Sequence, residues 1–156
     1  MRSLSVLLVA FGLWTATPVE ACVVPKIAVK EAARVVAMVN EVRQANGLTP
    51  LAPNARLQQA AQAHSCFMAD IGKMTHAGAG SSSAGDRARA AGYRWRFVAE
   101  NVAWGQEDAP RVVAGWGASA PHRRNILSKD AKEIGVALRH GKTGQAYWTL
   151  LLAASQ

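Results

Sequence analysis

The end of this chain constrains its fold more than any other stretch. From Glu133 to His140 the residues alternate, with Ile134, Val136 and Leu138 on one side. Gly141-Lys142-Thr143-Gly144 supplies a turn, and Gln145 to Ala153 runs back as a second strand. In that strand Tyr147, Thr149 and Leu151 oppose Trp148, Leu150 and Leu152. An apolar hairpin of this kind must be covered, and the covering material precedes it.

That material is helical. Val29, Ala32, Val36, Val39 and Val42 or Arg43 follow helical spacing over residues 29–46, and Gly47 is a natural stop. Thr49 to Pro53 reads as a turn, and a second helix as Asn54 to Ile71, with Leu57, Ala60, Ala61, His64, Met68 and Ile71 on one face. Residues 74–83, rich in Gly and Ser, form a mobile or tightly turned loop before a short helix from Gly85 to Ala91. Residues 97–104 read as a strand, Asp108 and Pro110 open a third long helix with Val112, Val113 and Trp116 inward, and Ser119 to Leu127 is helical again. Helices first and strands last, with no regular βαβ repeat, predict an α+β fold with an antiparallel sheet covered by helices.

With 156 residues, half of them hydrophobic and 18% charged, the chain suits one folded domain. Its beginning reads separately. Arg2, an apolar run from Leu4 to Trp14 and Val19-Glu20-Ala21 make a secretory signal peptide cut near Ala21, too short for a comfortable membrane span. The expected organisation is a signal peptide over 1–21, an N-terminal extension over 22–32 and a domain over 33–154, with no transmembrane anchor after cleavage and a secreted or periplasmic destination. Cys22 and Cys66 both survive cleavage, and two thiols in an exported chain most simply form one disulfide. Anchoring through a lipid on Cys22 is the alternative, and it excludes the bridge.

The net charge of +8 is spread along the chain in small clusters such as Arg87/Arg89 and Arg123/Arg124, without aromatic interleaving or zinc-finger spacing. Nucleic acid is therefore not the expected partner; a lipid or an anionic cell-envelope component is.

Three ionisable residues stand in unusual places: His76 in the glycine-rich loop, Glu100 inside an apolar strand, and His122 between Pro121 and Arg123. Two imidazoles and a carboxylate are suitable donors for Zn2+ with water completing the shell, and they suit acid and base work equally. No local metal motif accompanies them. His64 on an apolar helix face reads as a hydrogen-bonded core residue, and His140 at a hairpin end as solvated. Asn101, next to Glu100 on a strand, faces the other way and reads as a core amide bonding backbone; Arg123 and Asn125 read as loop ties. Ser119 near His122 suggests a serine hydrolase, but no G-x-S-x-G elbow is present.

Several segments resemble one family in consistent order. Ala99-Glu100-Asn101-Val102-Ala103-Trp104-Gly105 resembles the G-E-N-I-A-x-G signature of the CAP superfamily (cysteine-rich secretory, antigen 5 and pathogenesis-related 1 proteins). Trp116 through His122-Arg-Arg-Asn125-Ile-Leu127 resembles the W-x-x-S-x-x-H-R-x-N-I-L segment of the bacterial SCP-like extracellular type. Asp86-Arg87 with Ala91-Gly92-Tyr93, and the closing strands at Ile134-Gly135-Val136 and Tyr147-Trp148-Thr149, extend the likeness over about residues 33–153. The resemblance implies a three-layer α-β-α sandwich with a central antiparallel sheet. It also implies a shallow cleft lined by two His and two acidic residues. His76, Glu100 and His122 take three of those positions; Ser119 stands at the second acidic one, so any zinc would be held weakly. The implied function is a non-enzymatic secreted binding module for a lipid, metal ion or envelope partner. The alternative is a divalent-metal-dependent hydrolase using the His-Glu-His cleft.

Overall fold

The computed structural model describes residues 22–156, so the expected signal peptide lies outside the described residues. Five helices and four strands follow one another as α1 (Ala28–Ala45), β1 (Ala52–Pro53), α2 (Ala55–Ile71), α3 (Ala84–Ala90), β2 (Trp95–Trp104), α4 (Ala109–Ala118), α5 (Ala120–Ile126), β3 (Glu133–His140) and β4 (Ala146–Ser155). The sheet order is β1-β3-β4-β2. β4 pairs antiparallel with both β3 and β2, as the hairpin pattern predicts. The turn expected at Thr49 to Pro53 instead contributes β1, a two-residue strand that pairs parallel with β3, so the antiparallel sheet carries one parallel edge.

The central position of β4 explains its unbroken apolar run, because both of its faces are covered. Trp148, Leu150 and Leu152 pack with Val35 and Val39 of α1 and Val112 and Trp116 of α4. Leu151 and Ala153 pack with Leu57, Ala60 and Ala61 of α2 and Ala88 of α3. The result is the three-layer α-β-α sandwich. Fully burying each of these leucines contributes about 1.5–3 kcal/mol. Gly135 lets α2 sit directly on β3, since a Cβ there would lie 2.3 Å from the Leu57 carbonyl carbon.

Local chemistry sets the helix ends. Asn54 caps α2 by accepting from the Arg56 and Leu57 amides, and Gly72 ends it at φ 65°. Glu31 of α1, itself buried, accepts from the Ala109 amide at 2.8 Å and so fixes the start of α4. Arg43, rather than Val42, is the buried member of the α1 stripe; its guanidinium donates to the Thr49, Ile126 and Ser128 carbonyls. Val29 and Ile71, expected on inward faces, are exposed, and Val35 takes the core position beside Val36.

Cys22 and Cys66 form a disulfide with their Cα atoms 5.3 Å apart. A lipid on Cys22 would require that same sulfur. The bridge ties the segment before α1 to α2, and the Val23 carbonyl accepts from the His140 amide at the end of β3. α1 begins at Ala28, within the stretch read as an N-terminal extension. Among the described residues no helix is long and apolar enough to cross a membrane.

Candidate functional site

β2 is an edge strand, and its open side carries the cleft. Glu100 points toward the α2 and α3 layer and is 8% exposed. Its Oε1 accepts from Nδ1 of His76 at 2.9 Å, since an ionised carboxylate can only accept. Its Oε2 accepts from Nη2 of Arg87, a buried ion pair. Arg87 stands on α3, and its Nη1 also donates to the His76 and Ser82 carbonyls. One side chain therefore holds the glycine-rich loop and the carboxylate together. The loop is tightly turned, and Gly78 leaves room for the guanidinium: a Cβ there would come within 2.8 Å of Nη1. A capping box between Ser83 and Asp86 starts α3 at the place that aims Arg87 inward.

His64 completes this cluster. It is fully buried, donates from Nε2 to the Thr75 carbonyl at 2.8 Å, and lies 3.9 Å from Glu100 Oε1. With the proton on Nε2, the buried Nδ1 is a bare acceptor without a partner. Burial pushes the His64 pKa down, against the pull of Glu100. The hydrogen bond to Glu100 holds His76 above the usual imidazole value, although its side chain is 61% exposed.

His122 lies around the strand edge from this pair, on α5, with Trp104, Trp116 and Ser119. Desolvation lowers its pKa first, and the nearby charge of His76 lowers it further. The two imidazoles are thus within electrostatic reach. The sequence-derived trio is brought to one edge of the sheet, but only His76 and Glu100 touch. Among the described residues no group of three or more His, Cys, Asp or Glu side chains is arranged to hold a metal ion. Both Glu100 oxygens accept hydrogen bonds, from His76 and from Arg87, so of this pair it is Nε2 of His76 that is left for a ligand, with Glu100 orienting the ring from behind. Among the described residues no hydrogen bond joins Ser119 to His122.

The edge of β2 that no strand pairs is answered by side chains. Asn125 donates to the Glu100 carbonyl and to Asn101 Oδ1, Asn101 donates to the His122 carbonyl, and Trp116 Nε1 donates to the Val102 carbonyl. Asn101 thus bonds backbone from the core, as its strand position predicts. Arg87, central here, was not legible as a site residue, although a carboxylate inside an apolar strand requires a cation and Asp86-Arg87 was part of the family likeness.

The opposite edge of the sheet carries a different depression. Val29, Ala33, Val36 and Ala37 of α1 form one wall, Gln58 of α2 stands on the other, and Ile134 and Val136 floor it. Its volume is about 610 Å3, within the range of small-molecule sites.

A three-layer sandwich with a His- and Glu-lined cleft on its edge strand defines a domain of the SCP type. The chain belongs to the cysteine-rich secretory protein family, CAP, whose family model matches residues 36–152. It is 35% identical over 103 residues to the uncharacterized protein YkwD of Bacillus subtilis, covering 66% of this chain and 40% of that protein. It is 26% identical over 113 residues to the uncharacterized membrane protein YlbC of the same organism, covering 72% of this chain and 33% of that one. The chain thus spans less than half the length of these curated relatives. An extracellular SCP-domain protein of Bacillus anthracis shares the fold with a TM-score of 0.75 at 22% identity, over 83% of this chain and 42% of that one. An outer surface protein of Borrelia burgdorferi does so with 0.76 at 18% identity, over 81% of this chain and 94% of that one.

Proposed function

We propose that this chain is an exported, non-enzymatic binding module that holds one acyl chain of a lipid in the groove between α1 and α2. The observation that carries this reading is the groove of about 610 Å3, lined mainly by aliphatic side chains with Asn54 and Gln58 at one side and no ionisable side chain. Val29, at the groove, is 77% exposed, and such a residue gains about 1 kcal/mol or more on being covered. Lys26 and Lys30 flank it in sequence and suit an anionic headgroup. Export is supported by the signal-like first 21 residues and by the extracellular and outer-surface descriptions of the structural relatives. The domain assignment that goes with this reading is 22–32 as an extension and 33–154 as the CAP domain.

Calorimetry with palmitate on delipidated protein tests the reading. The expected result is one molecule bound by the wild type, and no binding by Ala37→Trp, whose indole fills the groove from an exposed position. A His76→Ala, His122→Ala double variant should bind as the wild type does. Absence of binding by palmitate, a sterol and a lysophospholipid alike sinks the reading. Tight zinc uptake by the wild type that is lost in the double variant would favour the metal-dependent hydrolase instead.

A further inference from the structure

Trp104 ends β2 with 51% of its surface exposed, although an indole contributes most when buried. It stands at a hollow of about 260 Å3, quite separate from the acyl groove. The floor of the hollow is the buried Trp116, and Met74, 47% exposed, adds a second apolar rim. Three polar side chains line the same space: Gln106, Ser119 and His122. Gln106 is fixed by its main-chain carbonyl, which accepts from Trp148 Nε1 at 2.7 Å. Its side-chain Oε1 is shielded from water and has no hydrogen-bond partner. A shielded acceptor without a partner is costly, and this one belongs to a side chain that lines the hollow.

The lining therefore asks for a ligand with one apolar face and hydrogen-bonding groups around its rim. An alkyl chain would cover Trp104 and Met74 but strip water from Gln106, Ser119 and His122 without replacing it. A pyranose ring with equatorial substituents meets both demands. Its C–H face stacks on the indole while its hydroxyls exchange hydrogen bonds at the rim. An acetamido group adds a methyl for Met74 and an N–H for the Gln106 oxygen.

We propose that the Trp104 hollow is a carbohydrate subsite, in which an N-acetylhexosamine unit stacks on Trp104 and bonds Gln106, Ser119 and His122. Trp104 is the platform and Gln106 the selecting group. A glycan of the cell envelope is the ligand class that an exported chain would meet there.

The probe is the β-1,4-linked tetramer of N-acetylglucosamine, added to the full mature chain and followed by saturation-transfer NMR and calorimetry. Transfer should be strongest to the ring protons of one face. Trp104→Ala should weaken binding by about tenfold or more, as loss of a stacking anchor does, while Trp104→Tyr should retain most of it. Circular dichroism melting confirms that both variants fold, and Ala37→Trp should bind the tetramer as the wild type does. Absence of transfer at millimolar tetramer overturns the proposal, and so does undiminished binding by Trp104→Ala. In a parallel arm with phosphatidylglycerol vesicles, association that requires Trp104, without tetramer binding, would make the indole a membrane anchor and likewise overturn it.

Discussion

The two edges of the sheet end in opposite ways. At β2 the edge is sealed by polar chemistry: Asn125 and Trp116 answer its carbonyls, and Arg87, His76 and His64 surround Glu100. At β3 and β1 the edge opens between α1 and α2 as an aliphatic groove. The polar edge draws the eye because it holds the ionisable residues, yet its donors and acceptors are largely spent on one another. The Glu100 carboxylate accepts from a guanidinium on one oxygen and an imidazole on the other. The apolar edge has no such internal partner. Hydrophobic surface left open in this way is the kind that marks ligand sites, which is why the proposed acyl groove lies there, while the proposed sugar subsite lies past the end of the polar network at Trp104.

The largest expected effect tests the groove edge. The Cys22–Cys66 bridge spans 44 residues and ties the segment before α1 to α2, the two walls of the groove. Loop closure makes it worth about 3–4 kcal/mol, so Cys22→Ser with Cys66→Ser should lower the urea unfolding free energy by about that much. Palmitate affinity should fall with it, while the His76–Glu100 pair keeps its chemical shifts. A loss confined to the cleft would reverse the assignment of the bridge.

Next in size is the cleft edge. Arg87→Met leaves Glu100 buried without its cation, and breaking such a pair costs about 3 kcal/mol or more. The matched variant Arg87→Met, Glu100→Gln should recover much of the loss, because it removes the unpaired charge. If the double variant is no better than the single one, Arg87 acts through its bonds to the His76 and Ser82 carbonyls instead. A somewhat smaller loss, about 2–3 kcal/mol, is expected for Gly135→Ala, whose methyl would be driven into the α2 backbone. That loss should come with a widened groove, measurable as weaker palmitate binding.

The same contrast explains what the sequence made legible. The hairpin and the long helices followed from periodicity, because burial on both sides of β4 and on one side of α2 writes a regular pattern. In α1 the expected stripe holds at Ala32, Val39 and Arg43 but falls one residue off at Val29 and Val36: Val35 and Val36 are adjacent, and periodicity alone does not choose between them. The residues of that expected stripe left open, Val29 and Val36, are the ones that wall the groove. A surplus of apolar side chains on a helix was thus the trace of the groove. In the cleft, isolated polar residues marked the place but not the partners. His76, Glu100 and His122 stood out against apolar or glycine-rich surroundings, whereas Arg87 lay in an ordinary basic helix. Its pairing with Glu100 spans 13 residues and depends on the turn between α3 and β2, which no local pattern encodes.

The smallest effect concerns pH and separates the edges most cleanly. His64 and His122 have folded pKa values below the unfolded value near 6.5, so the unfolded chain binds more protons below that pH. Their contribution to stability is therefore present at neutral pH and lost as pH falls below about 6.5 through the depressed values. A second proton on His64 would have to sit on Nδ1, which is buried and faces no acceptor. His76 has the opposite sign. Its pKa is raised by the hydrogen bond to Glu100, so its contribution is full below about 6.5 and fades as pH rises through the raised value. Urea unfolding at pH 5, 6, 7 and 8 should show His64→Gln removing part of the acid slope, at most about 1.4 kcal/mol per pH unit. His76→Gln should instead cost most at the acid end and so steepen the fall in stability there. The groove contains no titrating side chain in its lining, so affinity for an uncharged long-chain alcohol such as hexadecanol should stay flat across the range. An alcohol affinity that followed the His64 titration would show that the two edges are coupled through α2, and the contrast between them would have to be redrawn.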